Sequence, residues 1–229
     1  HTAYDLEAGT VGLKPGINNA AVDHFRIRVH GKSTHVSTPH LGVDALYIAS
    51  QIVVAVQGLV TRRTSPTEPV IIGIGKLNAG TTYNAVAAFA EMEGTTRTIS
   101  QESRDRVRAQ VSETAQSIAA LYGGTAEIEW TDFAAALVND PQVCEEAAQV
   151  VDELLGEGHV VTDRELSLSG DNFAEFELYK PGAYAYLGTG NPDFPHTMIT
   201  NHNGGFDVDE NALVTGAGLY VGYTVARLG

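Results

Sequence analysis

Four short stretches of this sequence hold side chains whose types and spacing suit chemistry. The first is Gly31-Lys32-Ser33-Thr34-His35, followed closely by Pro39-His40-Leu41-Gly42-Val43-Asp44-Ala45. An imidazole in such a loop can donate a hydrogen bond or move a proton; the plainer reading is a strand-to-helix loop with a surface histidine. The second pairs Asn84, just past Gly80, with Arg97 on the strand that follows. An amide donor and a guanidinium fork on adjacent strands could converge on one anion, although each alone is equally a solvated or structural side chain. The third, Ser169-Gly170-Asp171-Asn172-Phe173, is an acidic turn ahead of a helix, which an ordinary cap also explains. The fourth, His202-Asn203-Gly204-Gly205-Phe206-Asp207-Val208-Asp209-Glu210, sets a histidine in a glycine loop at a helix start. By itself that is a modest metal-ligand signal.

Regular elements must hold these stretches. Val22 to His30 alternates, with Phe25, Ile27 and Val29 on one side and His24, Arg26, Arg28 and His30 on the other, and predicts a half-buried strand. From Val43 to Val60, Val43, Leu46, Ala49, Val53, Val56 and Val60 recur every three or four, and Arg62 and Arg63 close the run where cations suit a helix C-terminus. Val70 to Ile74 is a short β-branched strand before the turn Asn78-Ala79-Gly80, and Val86 to Ile99 is another strand. A helix capped by Ser100 or Ser103 carries Val107, Val111, Ala115, Ile118 and Tyr122 on one stripe, and Gly123-Gly124 ends it. Ala126, Ile128 and Trp130 alternate in a last strand. The order β-α-β-β-α-β is the split βαβ, ferredoxin-like arrangement, with helices on one face of a sheet. Asn139-Asp140-Pro141 then breaks the chain. Beyond it a helix is expected at Val143 to Leu155, a strand at Ala183 to Leu187 and a final helix from about Glu210 to Arg227.

Composition narrows the function classes. The 229 residues carry 28 acidic against 14 basic side chains, a net charge of -14. Nucleic-acid binding needs clustered Lys and Arg, so that class is excluded. Cys144 is the single cysteine, so no intrachain disulfide is possible and an oxidising compartment is not implied. No run of eighteen apolar residues and no signal peptide is found, so the expectation is a cytoplasmic protein without a membrane partner.

In this order the motifs resemble metallopeptidase family twenty, in its aminoacylase, hippurate hydrolase and auxin-conjugate hydrolase group. The family's lid opens with Gly-Lys-x-x-His and Pro-His-x-Gly-x-Asp-Ala, here Gly31 to His35 and Pro39 to Ala45. Gly80 and Asn84 match its Gly-x-x-x-Asn loop, and Gly94, Thr95, Arg97 and Thr98 its Gly-Thr-x-Arg-Thr. Pro181-Gly182 to Leu187-Gly188 and His202 to Glu210 match the later motifs, while Asp171-Asn172 stands where the family has Glu-Asp.

The resemblance implies an α/β zinc-peptidase-like catalytic domain, in residues 1–20 and 134–229. An α+β, ferredoxin-like lid and dimerisation domain is inserted into its end at 21–133. It also implies a metal-dependent hydrolase acting on the amide bond of N-acyl amino acids or related conjugates, with two divalent metal ions, zinc or manganese, and a homodimer formed through the lid. His1 and His202 would each ligate one metal. His35 would reach the partner subunit's site and steady the carbonyl oxygen, and Asn84 and Arg97 would hold the substrate's carboxylate or carbonyl. Bridged metals lower the pKa of a shared water to about 7, and the oxyanion that forms needs a donor already in place. The family's Gly-His-Asp motif and its Glu-Glu pair, which carry the bridging carboxylate and general base, have no counterpart here. Glu145-Glu146 falls after the lid on the outer side of a helix. The expectation is therefore a C-terminal part with an incomplete metal site and no activity alone. The alternative is a non-catalytic, dimerising lid module that binds a small ligand.

Overall fold

Alternation between Ala21 and His30 yields a strand because one row of side chains can be sealed under helices while the other stays wet. The computed structural model describes residues 1–229. The chain begins with β1 (Thr2–Glu7), β2 (Val11–Gly12) and β3 (Gly16–Asn19). It continues through β4 (Ala21–His30), α1 (Ala45–Arg62), β5 (Ile71–Ala79), β6 (Phe89–Thr98), α2 (Gln101–Leu121) and β7 (Thr125–Ala134). Then follow β8 (Leu137–Asn139), α3 (Pro141–Leu155), β9 (Val160–Val161), α4 (Ala174–Glu177), β10 (Tyr186–Gly190) and α5 (Ala212–Leu228). Two compact units form: His1–Asn18 with Leu137–Ser167 and Phe173–Gly229, and Asn19–Ala136 with Leu168–Asn172.

The second unit is the lid. Its four-stranded sheet has the order β5-β6-β4-β7, each neighbouring pair antiparallel, which is the split βαβ pattern. Phe25, Ile27 and Val29 of β4 and Ala90 and Met92 of β6 are buried, with Ile48, Ile52 and Val56 of α1 and Val107 and Val111 of α2 in the same core. Burying each such large side chain stabilises by about 1.5–3 kcal/mol before chain entropy is counted. Helix α1 is apolar and long enough to cross a membrane, but its buried side chains belong to this core. Asp44 caps α1, accepting from Leu46 N at 3.0 Å and Tyr47 N at 3.1 Å, and Ser100 caps α2 by accepting from Ser103 N.

The helix-free face of this sheet is an ion-pair lattice. Arg28 Nε donates to Glu91 at 3.1 Å, Lys76 reaches Glu93 at 2.7 Å, and Arg26 lies within ion-pair distance of Glu91, Glu93 and Glu129. On the helix side, Asp23 is 1% exposed and takes a two-pronged contact from Arg104, Nε to Oδ2 at 3.0 Å and Nη2 to Oδ1 at 2.6 Å.

Several boundaries differ from the sequence reading. Strand β5 runs on to Ala79 because the ladder shifts register between Ile74 and Lys76 and resumes with Lys76 opposite Glu93. Strand β6 starts at Phe89, since Val86 N–H and the Ala87 carbonyl are engaged with Thr34 O and Ala45 N instead. Residues 168–172 belong to the lid unit; a side chain on Gly170 would meet Val22 at 2.5 Å, so only glycine lets this turn lie there.

In the first unit the sheet order is β1-β10-β2-β9, with β1 parallel to β10. Val11 and Leu13 form its buried centre with Ala147 and Val151 of α3, and Leu219 and Tyr223 of α5 pack against that cluster. Asp140 caps α3 with Pro141 in its first turn, and Gly156 at φ +91 ends it. Strand β10 begins at Tyr186, later than the alternation suggests, because the Asn139 side chain takes both Tyr184 N–H (2.8 Å) and Tyr184 O (3.1 Å).

Candidate active site

Gly31 brings the first candidate loop into place. A side chain there would collide with the Val43 carbonyl, so glycine allows Lys32 and Val43 to exchange hydrogen bonds at 2.8 and 2.9 Å. Gly80, at φ +75, turns the chain after β5 toward the second loop. The two loops then pair: Val86 N–H donates to Thr34 O at 2.9 Å, Val36 N–H to Asn84 O at 3.1 Å, and His35 bridges Ala85. His35 and Asn84 are thus neighbours, both exposed. Thr82 Oγ1 donates to Asn84 Oδ1 at 3.2 Å, which directs the amide's N–H donors to an outside acceptor. A cavity of about 390 Å³ is lined by both loops, with Val36, Asp44, Gly80 and Tyr83 among its walls. Tyr83, 96% exposed beside Asn84, has no periodicity or motif to single it out in the sequence.

Arg97 lies elsewhere. It sits opposite Val22 and Ile71 at the far end of β6, while Asn84 precedes the near end at Phe89. Eight residues of strand separate the ends, about 26 Å at about 3.3 Å each. Asn84 and Arg97 of one copy therefore do not face one anion, which corrects the expectation that adjacent strands bring them together. Arg97 is half-buried, and its Nη1 has no hydrogen-bond partner. Burial pulls its guanidinium below the usual range. An orphaned buried donor of this kind suits an incoming carboxylate.

In the first unit, the loop carrying His202 approaches the start of β1: Asn201 Nδ2 is 3.5 Å from His1 Nδ1. His1 Nδ1 also lies 2.8 Å from Thr2 O. A carbonyl only accepts, so Nδ1 bears the proton and Nε2 keeps its lone pair, the form a metal requires. His202 holds a left-handed backbone at φ +63, unusual for a non-glycine residue and frequent at functional sites. Two imidazoles of this kind fit part of a metal site; no group of three or more His, Cys, Asp or Glu side chains converges. Glu146 is occupied otherwise, bonded to Arg227 at 2.6 Å and Tyr223 at 3.1 Å.

Asp209, behind the same loop, accepts from Asn191 Nδ2 at 2.6 Å and from Asn211 N–H at 3.0 Å, and these bonds hold its carboxyl below the usual range. An apolar cleft of about 530 Å³ includes His1, Leu13, Phe173, Tyr184 and Tyr223 in its lining. Its walls come from six separate segments, so no local pattern in the sequence announces it.

Comparison with known proteins agrees with this architecture. Residues 20–122 match the peptidase dimerisation domain of metallopeptidase family twenty. An N-acetyl-L-cysteine deacetylase of Bacillus subtilis is 34% identical over 93% of this chain and 49% of its own length. Thermostable carboxypeptidase 1 of Saccharolobus solfataricus is 32% identical over 95% of this chain and 54% of its own. A crystal structure of a dinuclear metal-binding peptidase of that family from Bacillus subtilis superposes with a TM-score of 0.78 at 30% identity, covering 100% of this chain and 55% of the other. The chain thus spans about half the length of the curated relatives it matches. Over nearly its whole length the chain is similar to amidohydrolases and carboxypeptidases of metallopeptidase family twenty, and residues 20–122 are that family's peptidase dimerisation domain.

Proposed function

We propose that this chain is the C-terminal part of a dimeric, metal-dependent amidohydrolase that cleaves the amide bond of N-acyl amino acids or related conjugates. The observation that carries the reading is the division of the lid. His35 and Asn84 share one end, and the orphaned guanidinium of Arg97 occupies the other, about 26 Å along β6. If all three serve one substrate, a single site draws His35 and Asn84 from one subunit and Arg97 from the other. Arg97 then clamps a carboxylate through a charge-assisted fork, Asn84 donates to the same substrate from the opposite side, and His35 donates to the oxygen that gains charge. His1, with Nε2 unprotonated, and His202 are the residues of this chain that would hold divalent metal. The metals, zinc or manganese, supply an activated water at neutral pH. The remaining ligands and the general base lie outside these 229 residues on this reading, so the chain alone is expected to be inactive.

Subunit mixing tests it in the complete enzyme. His35→Ala and His202→Ala dimers are each expected to be nearly inactive. After exchange, hybrids contain one intact site, and activity should return toward a quarter to a half of wild type. Hybrids that form, shown by differential tagging, yet stay inactive would sink the shared-site reading.

A further inference from the structure

The His35 ring is held by its own turn. Ser37 N–H donates to His35 Nδ1 at 3.2 Å, and Ser37 Oγ stands 2.7 Å from the same nitrogen. The turn is tied down by Thr38 N–H donating to His35 O at 2.9 Å and by Thr38 Oγ1 at 3.2 Å from that oxygen, while the His35 backbone bridges Ala85. An amide N–H has no lone pair to offer, so wherever this bond exists Nδ1 must accept.

We propose that Ser37 is a positioning residue that fixes the His35 tautomer, its N–H and hydroxyl both donating to Nδ1 and leaving the neutral ring's proton on Nε2. The other tautomer would set N–H against N–H and leave a donor unmet. An Nε2–H donor, oriented before substrate arrives, is what an oxyanion site needs, because a donor already in place costs no reorganisation as charge develops. The inference deepens the function proposed above and rests on it for its catalytic consequence. The tautomer itself does not depend on that reading.

Two measurements separate the two. Histidine-selective ¹⁵N labelling of this chain, with His35 assigned by the signals lost in His35→Gln, reads the tautomer directly. The expected spectrum of the neutral ring has Nδ1 unprotonated and Nε2 protonated. Ser37→Ala keeps the amide N–H and loses only the hydroxyl, so the Nδ1 signal should shift while Nδ1 stays unprotonated, and Ser37→Thr should restore the wild-type pattern. A proton on Nδ1 in the wild type, or identical spectra for wild type and Ser37→Ala, overturns the proposal. In the complete enzyme, Ser37→Ala should lower kcat about three- to tenfold with KM nearly unchanged, the effect of one lost neutral hydrogen bond. Ser37→Thr should recover it, and Ser37→Ala should cost nothing further on a His35→Ala background. An equal loss on that background means Ser37 does not act through His35. A His35→Ala enzyme with normal kcat defeats the functional reading instead, while the NMR result still judges Ser37.

Discussion

At the scale of the residue, His35 and Arg97 are expected to fail differently. A donor to the oxyanion works mainly in the transition state, so His35→Ala should lower kcat by roughly 10²–10³-fold and leave KM nearly unchanged. On the function proposed above, Arg97 would meet a carboxylate already present in the ground state. A charge-assisted bond of about 1.5–3 kcal/mol predicts that Arg97→Ala raises KM by about one to two decades with a smaller change in kcat. Steady-state kinetics on both variants decides; reversed signatures would exchange their roles. A second pair at this scale concerns stability. Asp23 and Arg104, 1% and 7% exposed at the side chain, neutralise each other within the lid. Asp23→Ala removes the buried partner of Arg104, leaving it only the exposed Asp132 at 3.7 Å, and should cost about 3–5 kcal/mol in urea unfolding, well above the cost of removing Asp132 itself.

At the scale of the element, glycine decides where strands and loops lie close. Gly94 belongs to a motif that the family resemblance ties to substrate binding, yet its own role is packing. A Cβ there would run into the Phe25 ring and the Gly73 carbonyl, in the middle of a paired strand. Gly94→Ala should therefore destabilise by about 1–3 kcal/mol through overpacking, measured by thermal unfolding of the chain. The His202 loop depends on a different device. Asn191 and Asn211 hold the Asp209 carboxyl below its usual range. The folded chain therefore takes up that proton only at lower pH than the unfolded chain does. The bond's stabilisation is complete above the ordinary aspartate value of about 4 and is lost as pH falls through the depressed folded value. Asp209→Asn should flatten the acid fall of Tm below about pH 4; parallel Tm curves for both proteins would refute the assignment.

At the scale of the whole molecule, the lid has two sheet edges of opposite character. Strand β7 carries Glu127, Glu129 and Asp132, charges that discourage pairing. Strand β5 reads Ile-Ile-Gly-Ile-Gly-Lys-Leu-Asn-Ala, with Ile71 and Leu77 exposed, and α1 adds exposed Leu46 and Val54. The matched domain is a dimerisation domain, and the β5 edge is the one expected to join two copies. Leu77→Asp combined with Val54→Asp should give a monomer by analytical ultracentrifugation at tens of micromolar with the circular-dichroism spectrum unchanged. The same pair of changes on β7, Glu127→Lys and Glu129→Lys, should leave the dimer intact. Retention of the dimer by the β5–α1 variant would move the interface elsewhere.

Periodicity alone determined that these elements exist: Phe25, Ile27 and Val29 alternate and are buried, while for α1 the three-and-four repeat announced the helix but not its whole buried face, since Ala49 and Val56 are buried, Leu46 is exposed, and Ile48 and Ile52 fill the core beside them. The order of those elements carried the split βαβ topology with it. The short strands Val11–Gly12, Gly16–Asn19, Leu137–Asn139 and Val160–Val161 were illegible, because two to four residues have no period and exist only through partners far along the chain. The candidate site divided in the same way. His35, Asn84, Arg97, His1 and His202 could be named from motif order. Only the tertiary structure set Asn84 beside His35 and Arg97 at the other end of the strand, because strand length and pairing, which no residue states by itself, decide which side chains can meet.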